Sequence, residues 1–243
     1  MIEATDVIEL APAVVMRNGV LVDDVRGVEV PLNPSARVAL ETAGTISDVA
    51  AALERLGARE PLRDAVTFAK QLNALLLVNV RAPLRDRVLR RLHALRYGIV
   101  LQAPARRLDV GTPVSFVRAL TPTALAILLL LLPPALLAGA WVCAGAFAAA
   151  CGVVVHEGAH AVALRGVPRA LVFDGLKPSI LHASVGPGRA LAAAAAGPLV
   201  PALAAVVCVL TWRAAALACV PLAAHALGLT VAAPDGRNAC GLS

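Results

Sequence analysis

From about Phe116 onward the chain is a succession of apolar runs, and this more than anything else limits what it can fold into. Crossing a bilayer takes roughly 20 predominantly apolar residues. Leu120–Leu132 with its flanks, Ala135–Leu164, Ala190–Trp212 and Ala214–Ala232 are each long enough. Pro133-Pro134 is expected to break the first run from the second, and Arg213 marks a short turn between the third and fourth. Hydrophobic residues make up 59% of the 243 residues, against about 45–50% in soluble proteins. Aromatics are only 3%, so Ala, Leu and Val line the spans and allow helix backbones to approach closely. The expected class is mainly α: a polytopic helical membrane domain of about four spans over 117–243, preceded by a small α+β domain.

Charge orients this arrangement. The net charge is +6. Arg81, Arg85, Arg87, Arg90, Arg91, Arg96, Arg106, Arg107 and Arg118 crowd the stretch before and into the first span, against Asp86 and Asp109. Such a run fits nucleic acid in isolation, but beside a membrane span it follows the excess of Lys and Arg on cytoplasmic loops. No nucleic-acid partner is therefore expected. Residues 1–116, the polar loop 165–189 and the C-terminus are placed on the cytoplasmic side. Met1–Asp6 has no basic segment leading into an apolar core, so no secretory signal is expected. The expected location is the bacterial cytoplasmic membrane, with the N-terminal domain cytoplasmic. The five cysteines, Cys143, Cys151, Cys208, Cys219 and Cys240, lack C-x-x-C spacing, and the first four lie in apolar runs. They are expected to be small buried hydrophobes rather than a disulfide framework.

Residues 1–80 are patterned as a soluble winged-helix-like domain. Ala13–Arg17 and Val20–Asp24 flank Asn18-Gly19, a two-residue hairpin signal. Asn33-Pro34 offers a cap and a first-turn proline for a short helix over Ser35–Thr42. Thr45-Ile46-Ser47-Asp48 opens a second helix that runs to Gly57, and a third spans about Pro61 to Asn73 before an extended Leu75–Val80. Residues 81–116 form a basic connector in which Leu84, Val88, Leu92 and Leu95 share a helical face. That pattern fits a helix on an anionic membrane surface or a solvated basic linker.

The chemistry-bearing signal lies near the end of the second apolar run, in His156-Glu157-Gly158-Ala159-His160. On a helix His156 and His160 share one face and can offer two imidazoles to a tetrahedral Zn²⁺, with Glu157 beside them as general base. Ionisable residues within a span are costly and functional by default. A catalytic zinc needs a third protein ligand, and the candidates are Asp174, His182, His225 and Asp235. Asp235 is favoured, because Pro234 and Gly236 interrupt the helix around it and span counting puts it at the depth of the histidines. His225 is open to three roles: ligand, hydrogen-bond partner or core histidine. Asp174-Gly175 reads as a turn, and the loop around Phe173–Val185 as a possible edge strand for an opened peptide or a disordered loop.

Two families resemble parts of this chain. Leu32-Asn33-Pro34-Ser35-Ala36, Leu40-Glu41 and Gly44–Leu53 resemble the PqqD-like domains that recognise leader peptides of ribosomally made, modified peptides. That resemblance implies binding of an extended peptide to a sheet edge. The membrane half resembles the site-2 protease family of intramembrane zinc metalloproteases. The residues that carry this are His156–His160, Ala196-Gly197-Pro198 and Pro234-Asp235-Gly236. It implies Zn²⁺ on His156, His160 and Asp235 with Glu157 as catalytic base. Where that family often has an asparagine after Gly-Pro, this chain runs Leu199-Val200-Pro201, and none precedes Asp235. Together the two imply an intramembrane zinc endopeptidase acting on a peptide precursor or small membrane protein held by the N-terminal domain, with the lipid bilayer as its other partner. The rival readings are a non-catalytic membrane-bound peptide-binding or export protein, and a membrane-anchored winged-helix regulator.

Overall fold

The order of elements follows from local chemistry in the first eighty residues. Residues 2–42, 44–97, 103–175, 177–211 and 216–229 are described by a computed structural model. The chain divides into two compact units, 1–109 with 170–177, and 110–169 with 178–243.

In the first unit, β2 (Val14–Arg17) and β3 (Val20–Asp23) form the expected hairpin, with Arg17 opposite Val20. Asn18 and Gly19 both take positive φ, 52° and 78°, as a tight turn between right-twisted strands requires. β4 (Val28–Pro31) continues the meander on β3, and β1 (Val7–Leu10) pairs antiparallel with β5 (Val78–Arg81). Helix α1 (Pro34–Glu41) starts where the Asn33 side chain accepts from the Ala36 N–H at 2.7 Å. Helix α2 (Ile46–Arg55) starts on a reciprocal Thr45–Asp48 capping box. The Thr45 bonds to its carboxylate hold Asp48 below the usual carboxylate range. α3 (Pro61–Ala74) completes the set, and Ile8, Leu21, Ile46, Val49, Leu72 and Val78 meet in one apolar core.

Part of the expected basic connector belongs to this unit as structure. Asn79 donates through Nδ2 to the Arg107 carbonyl and accepts the Arg107 N–H, both at 2.8 Å, so its side chain completes the ladder for β6 (Arg106–Leu108). Asn73 does the same for the Ala105 backbone at 2.8 and 3.1 Å. Arg107 is fully buried and its guanidinium forks onto Asp23, with two bonds of 2.8 Å. Burial alone would raise the Asp23 pKa, but its hydrogen bonds to Arg107 and Arg26 hold it at about 2. Arg107 therefore counts as a core ion-pair residue, with no surface charge for lipid to feel. On β6 lies β7 (Arg169–Asp174), antiparallel, with Arg106 opposite Phe173.

Helix α4 (Leu84–Tyr97) docks by its polar side. Arg90 chelates Asp6 at 2.7 and 3.1 Å and reaches Glu3 at 2.9 Å, while Thr5 donates to Asp86 at 2.9 Å. Leu84, Val88, Leu89 and Leu92 are left exposed. This inverts the usual arrangement of a surface helix, which turns its apolar stripe to the core.

The second unit is helical. α5 (Pro113–Ala138), α6 (Ala140–Ala163) and α7 (Pro187–Thr211) are each long and apolar enough to cross a membrane. Of their most apolar windows only 17%, 28% and 33% is buried within the protein, so most of that surface needs an apolar solvent. The protein is mainly α, with small sheets and, among the described residues, three helices long and apolar enough to cross a membrane. The expected fourth crossing is described only as α8 (Ala216–Ala224) and a 3₁₀ turn over His225–Leu229. Pro133-Pro134 does not end the first span: α5 runs through both prolines to Gly139, which breaks the chain at φ 111°. In a helix this apolar, unwinding would leave further backbone groups unpaired among apolar side chains, a larger cost than the bonds lost at the two prolines. The segment after α6 carries β7, a turn at Gly175 (φ 63°) and β8 (Lys177–His182), as the Asp174-Gly175 reading expected. The cysteines differ from expectation: Cys219 is buried and Cys143 half-buried, but Cys151 and Cys208 are exposed. In a helix that is apolar all round, an apolar residue can face outward as easily as inward. Cys240 lies outside the described residues.

Candidate metal centre

α6 packs against α5, α7 and α8, which makes it the central helix of its unit. Small residues permit this: Gly145, Ala146, Ala150 and Gly152 on α6 are buried, as are Ala193, Ala194 and Gly197 on α7. His156, Glu157 and His160 sit on the last two turns of this helix. Glu157 is the only buried charged side chain among the described residues of the unit.

The two expected ligands meet as the i, i+4 spacing predicts. His156 Nε2 and His160 Nε2 stand 3.2 Å apart. A tetrahedral zinc with Zn–N bonds of about 2.0–2.1 Å sets its nitrogen ligands about 3.3–3.4 Å apart, so the pair has the spacing of one edge of such a site. On the far side of the His160 ring, Nδ1 lies 2.6 Å from the Ala193 carbonyl oxygen. A carbonyl only accepts, so Nδ1 carries the proton and Nε2 presents its lone pair. Ligating histidines are held in the same way by a second partner. Gly197 makes room for this ring, because a Cβ there would overlap His160 Nε2.

The third ligand is less simply placed. Asp235 lies outside the described residues. Asp174 ends β7, and His182, on β8, gives its Nδ1 proton to the Ala183 carbonyl at 2.7 Å. His225 comes to the cluster, but by way of His156: its Nδ1 is 3.0 Å from His156 Nδ1, on the edge of that ring away from Nε2. Among the described residues no three His, Cys, Asp or Glu side chains form a metal-holding group. The histidines form a file in which the His156 Nε2 and His160 Nε2 pair has the spacing of two zinc ligands.

Two contributors to this site escape motif reading, the Ala193 carbonyl and Gly152, while His225 takes the hydrogen-bond role among the three left open for it. Gly152 left one signal, since 152, 156 and 160 fall on one helical stripe and a glycine there opens space a turn before the first histidine. Comparison with protein-family models, with curated proteins and with solved structures finds no match for this chain.

Proposed function

We propose that the protein is an intramembrane zinc endopeptidase, of the site-2 protease kind, whose four-span membrane domain follows a PqqD-like winged-helix domain that holds a peptide precursor. The observation that carries this reading is the pair of Nε2 atoms 3.2 Å apart, with His160 locked by Ala193 so that its lone pair faces the shared position. Buried Glu157, next in sequence to the first ligand, supports it further. His156 and His160 hold the ion, with Asp235 as third ligand.

A zinc ion held by His156 and His160 would supply Lewis-acid chemistry there, polarising a peptide carbonyl and lowering the pKa of a water molecule toward about 7. Glu157 takes a proton from the attacking water as its oxygen bonds to the carbonyl carbon. The same residue passes that proton to the amine nitrogen as the C–N bond breaks. Its burial shields the carboxylate from bulk water. The Ala193 carbonyl holds the His160 ring still, and Gly197 leaves that ring its space. A substrate helix must open locally before its carbonyl can be attacked, and a leader held by the N-terminal domain would supply the residence time. The N-terminal domain faces the cytoplasm in this reading, on the side favoured by the arginine-rich connector.

The test is digestion of candidate precursor peptides by the purified full-length protein, read by mass spectrometry. Cleavage should require zinc, and Glu157→Gln should reduce it by about 10²–10⁴-fold or more while zinc binding remains. Equal cleavage by Glu157→Gln rules out the catalytic role. Zinc binding without cleavage of any precursor favours a peptide-binding or export protein instead.

A further inference from the structure

We infer that His225 is a positioning residue that sets the tautomer of His156, so that the two Nε2 atoms can face one metal ion together. The inference rests on the reading that His156 and His160 hold that metal. It takes His225 out of the ligand set and gives it a distinct task.

Four groups stand in file. The Ala193 carbonyl oxygen meets His160 Nδ1 at 2.6 Å, His160 Nε2 meets His156 Nε2 at 3.2 Å, and His156 Nδ1 meets His225 Nδ1 at 3.0 Å. A neutral imidazole has one ring proton and one lone pair. The carbonyl fixes the His160 proton on Nδ1, and every later assignment follows from that end. With no cation between the Nε2 atoms, His156 must donate from Nε2 to the His160 lone pair. Its Nδ1 then accepts a proton from His225 Nδ1. All three protons point toward Ala193.

A cation between the Nε2 atoms reverses the outer half of this file. His156 Nε2 must present a lone pair, so its proton moves to Nδ1 and is donated to His225 Nδ1. His225 in turn keeps its own proton on Nε2. Three ring protons are present in both arrangements, so the rearrangement is balanced without any proton gained or lost. The metal-ready tautomer of His156 thus needs an acceptor at Nδ1, and His225 supplies one.

The packing around His225 supports a built position. His225 opens the 3₁₀ turn directly after α8, and its ring centroid lies 4.9 Å from that of His156, tilted by 36°. Gly152, one turn before His156 on the same stripe of α6, gives it room. A Cβ at 152 would stand 2.9 Å from His225 Nε2 and 3.3 Å from Leu222 Cδ2. Because His225 meets His156 on the edge away from Nε2, it cannot share an ion held by the Nε2 pair.

The experiment uses full-length protein in nanodiscs with ¹⁵N-labelled histidine; the chain has five, which keeps the ring-nitrogen spectrum assignable. Zinc affinity is read by chelator competition and the His156 tautomer from its ring ¹⁵N shifts. In wild type, zinc should move the His156 proton from Nε2 to Nδ1 and the His225 proton from Nδ1 to Nε2. His225→Phe keeps bulk but offers no acceptor, and should weaken zinc binding by about 10–100-fold, the usual cost of losing an outer partner of a ligating histidine. His225→Gln, whose amide oxygen accepts, should restore most of the affinity. Gly152→Ala displaces His225 without altering its chemistry and should reproduce the loss. If His225→Phe and Gly152→Ala bind zinc like wild type while His156→Ala loses it, the positioning role is overturned and the metal reading stands. If His156→Ala and His160→Ala also bind zinc like wild type, both are overturned.

Discussion

Gly197 faces the imidazole of His160 so closely that any Cβ at 197 would overlap Nε2, the nitrogen whose lone pair is free of the Ala193 bond. Gly158, on α6 between the two histidines, stands in a different environment: a Cβ there would meet only Phe116 Cε1, at an ordinary 3.9 Å.

These two glycines therefore separate site chemistry from helix propensity. Gly197→Ala should push His160 off its Ala193 bond and lower zinc affinity by at least about 10-fold. Gly158→Ala should leave affinity unchanged and favour the helix slightly, by about 0.5–1 kcal/mol. Chelator competition and thermal unfolding of the two variants check this, and equal affinity in both would remove Gly197 from the site.

Asp23 and Arg107 should make the first unit acid-sensitive. The folded pKa of Asp23 is about 2 against 3.8 for the free carboxyl. A lowered pKa stabilises the folded state fully above the unfolded value and loses that effect as pH falls through the folded one. The contribution, on the order of 2 kcal/mol, is thus present above about pH 4 and lost toward pH 2. Hydrogen exchange of first-unit amides across that range should follow it. Asp23→Asn should abolish this pH dependence and cost about 3–5 kcal/mol by leaving the Arg107 guanidinium buried without its countercharge.

Asn79 holds β6 through a backbone-like pair of hydrogen bonds. Asn79→Ala should strand the buried N–H and carbonyl of Arg107, at about 1–3 kcal/mol for each group left unsatisfied. Exchange protection should fall first at 106–108 and then at β7, which pairs with that strand. Uniform loss across the unit would instead mean that Asn79 supports the core as a whole.

The outward stripe of α4 should meet an anionic bilayer. A cysteine introduced by Val88→Cys should react several-fold more slowly with a water-soluble maleimide in anionic than in zwitterionic nanodiscs. Each arginine near such a surface contributes about 1 kcal/mol, so Arg85→Glu with Arg87→Glu should erase the difference. Labelling that ignores lipid charge would identify α4 as a solvated helix.

Much of the local structure was legible in the residues themselves. The Asn18-Gly19 turn, the Asn33 and Thr45–Asp48 caps, and the pairing of His156 with His160 each depend on groups no more than four residues apart. Their geometry follows from backbone sterics and helix periodicity, which any folded context preserves. The expected break at Pro133-Pro134 failed because the rule comes from helices in water, whereas unwinding so apolar a helix would leave backbone unpaired among apolar side chains.

What the sequence determined alone was therefore the apolar spans, the caps and turns, and a two-histidine seat on one helix face. The tertiary structure decided which partners complete that seat. Ala193 fixes the tautomer of His160 from 33 residues away, and His225 reaches His156 across 69. Arg107, one of a run of similar arginines, is singled out for burial by Asp23, 84 residues distant. A motif records which side chains can bond. Only the packing of helices and strands decides which of many equivalent donors and acceptors come within 3 Å and lose their alternatives in solvent.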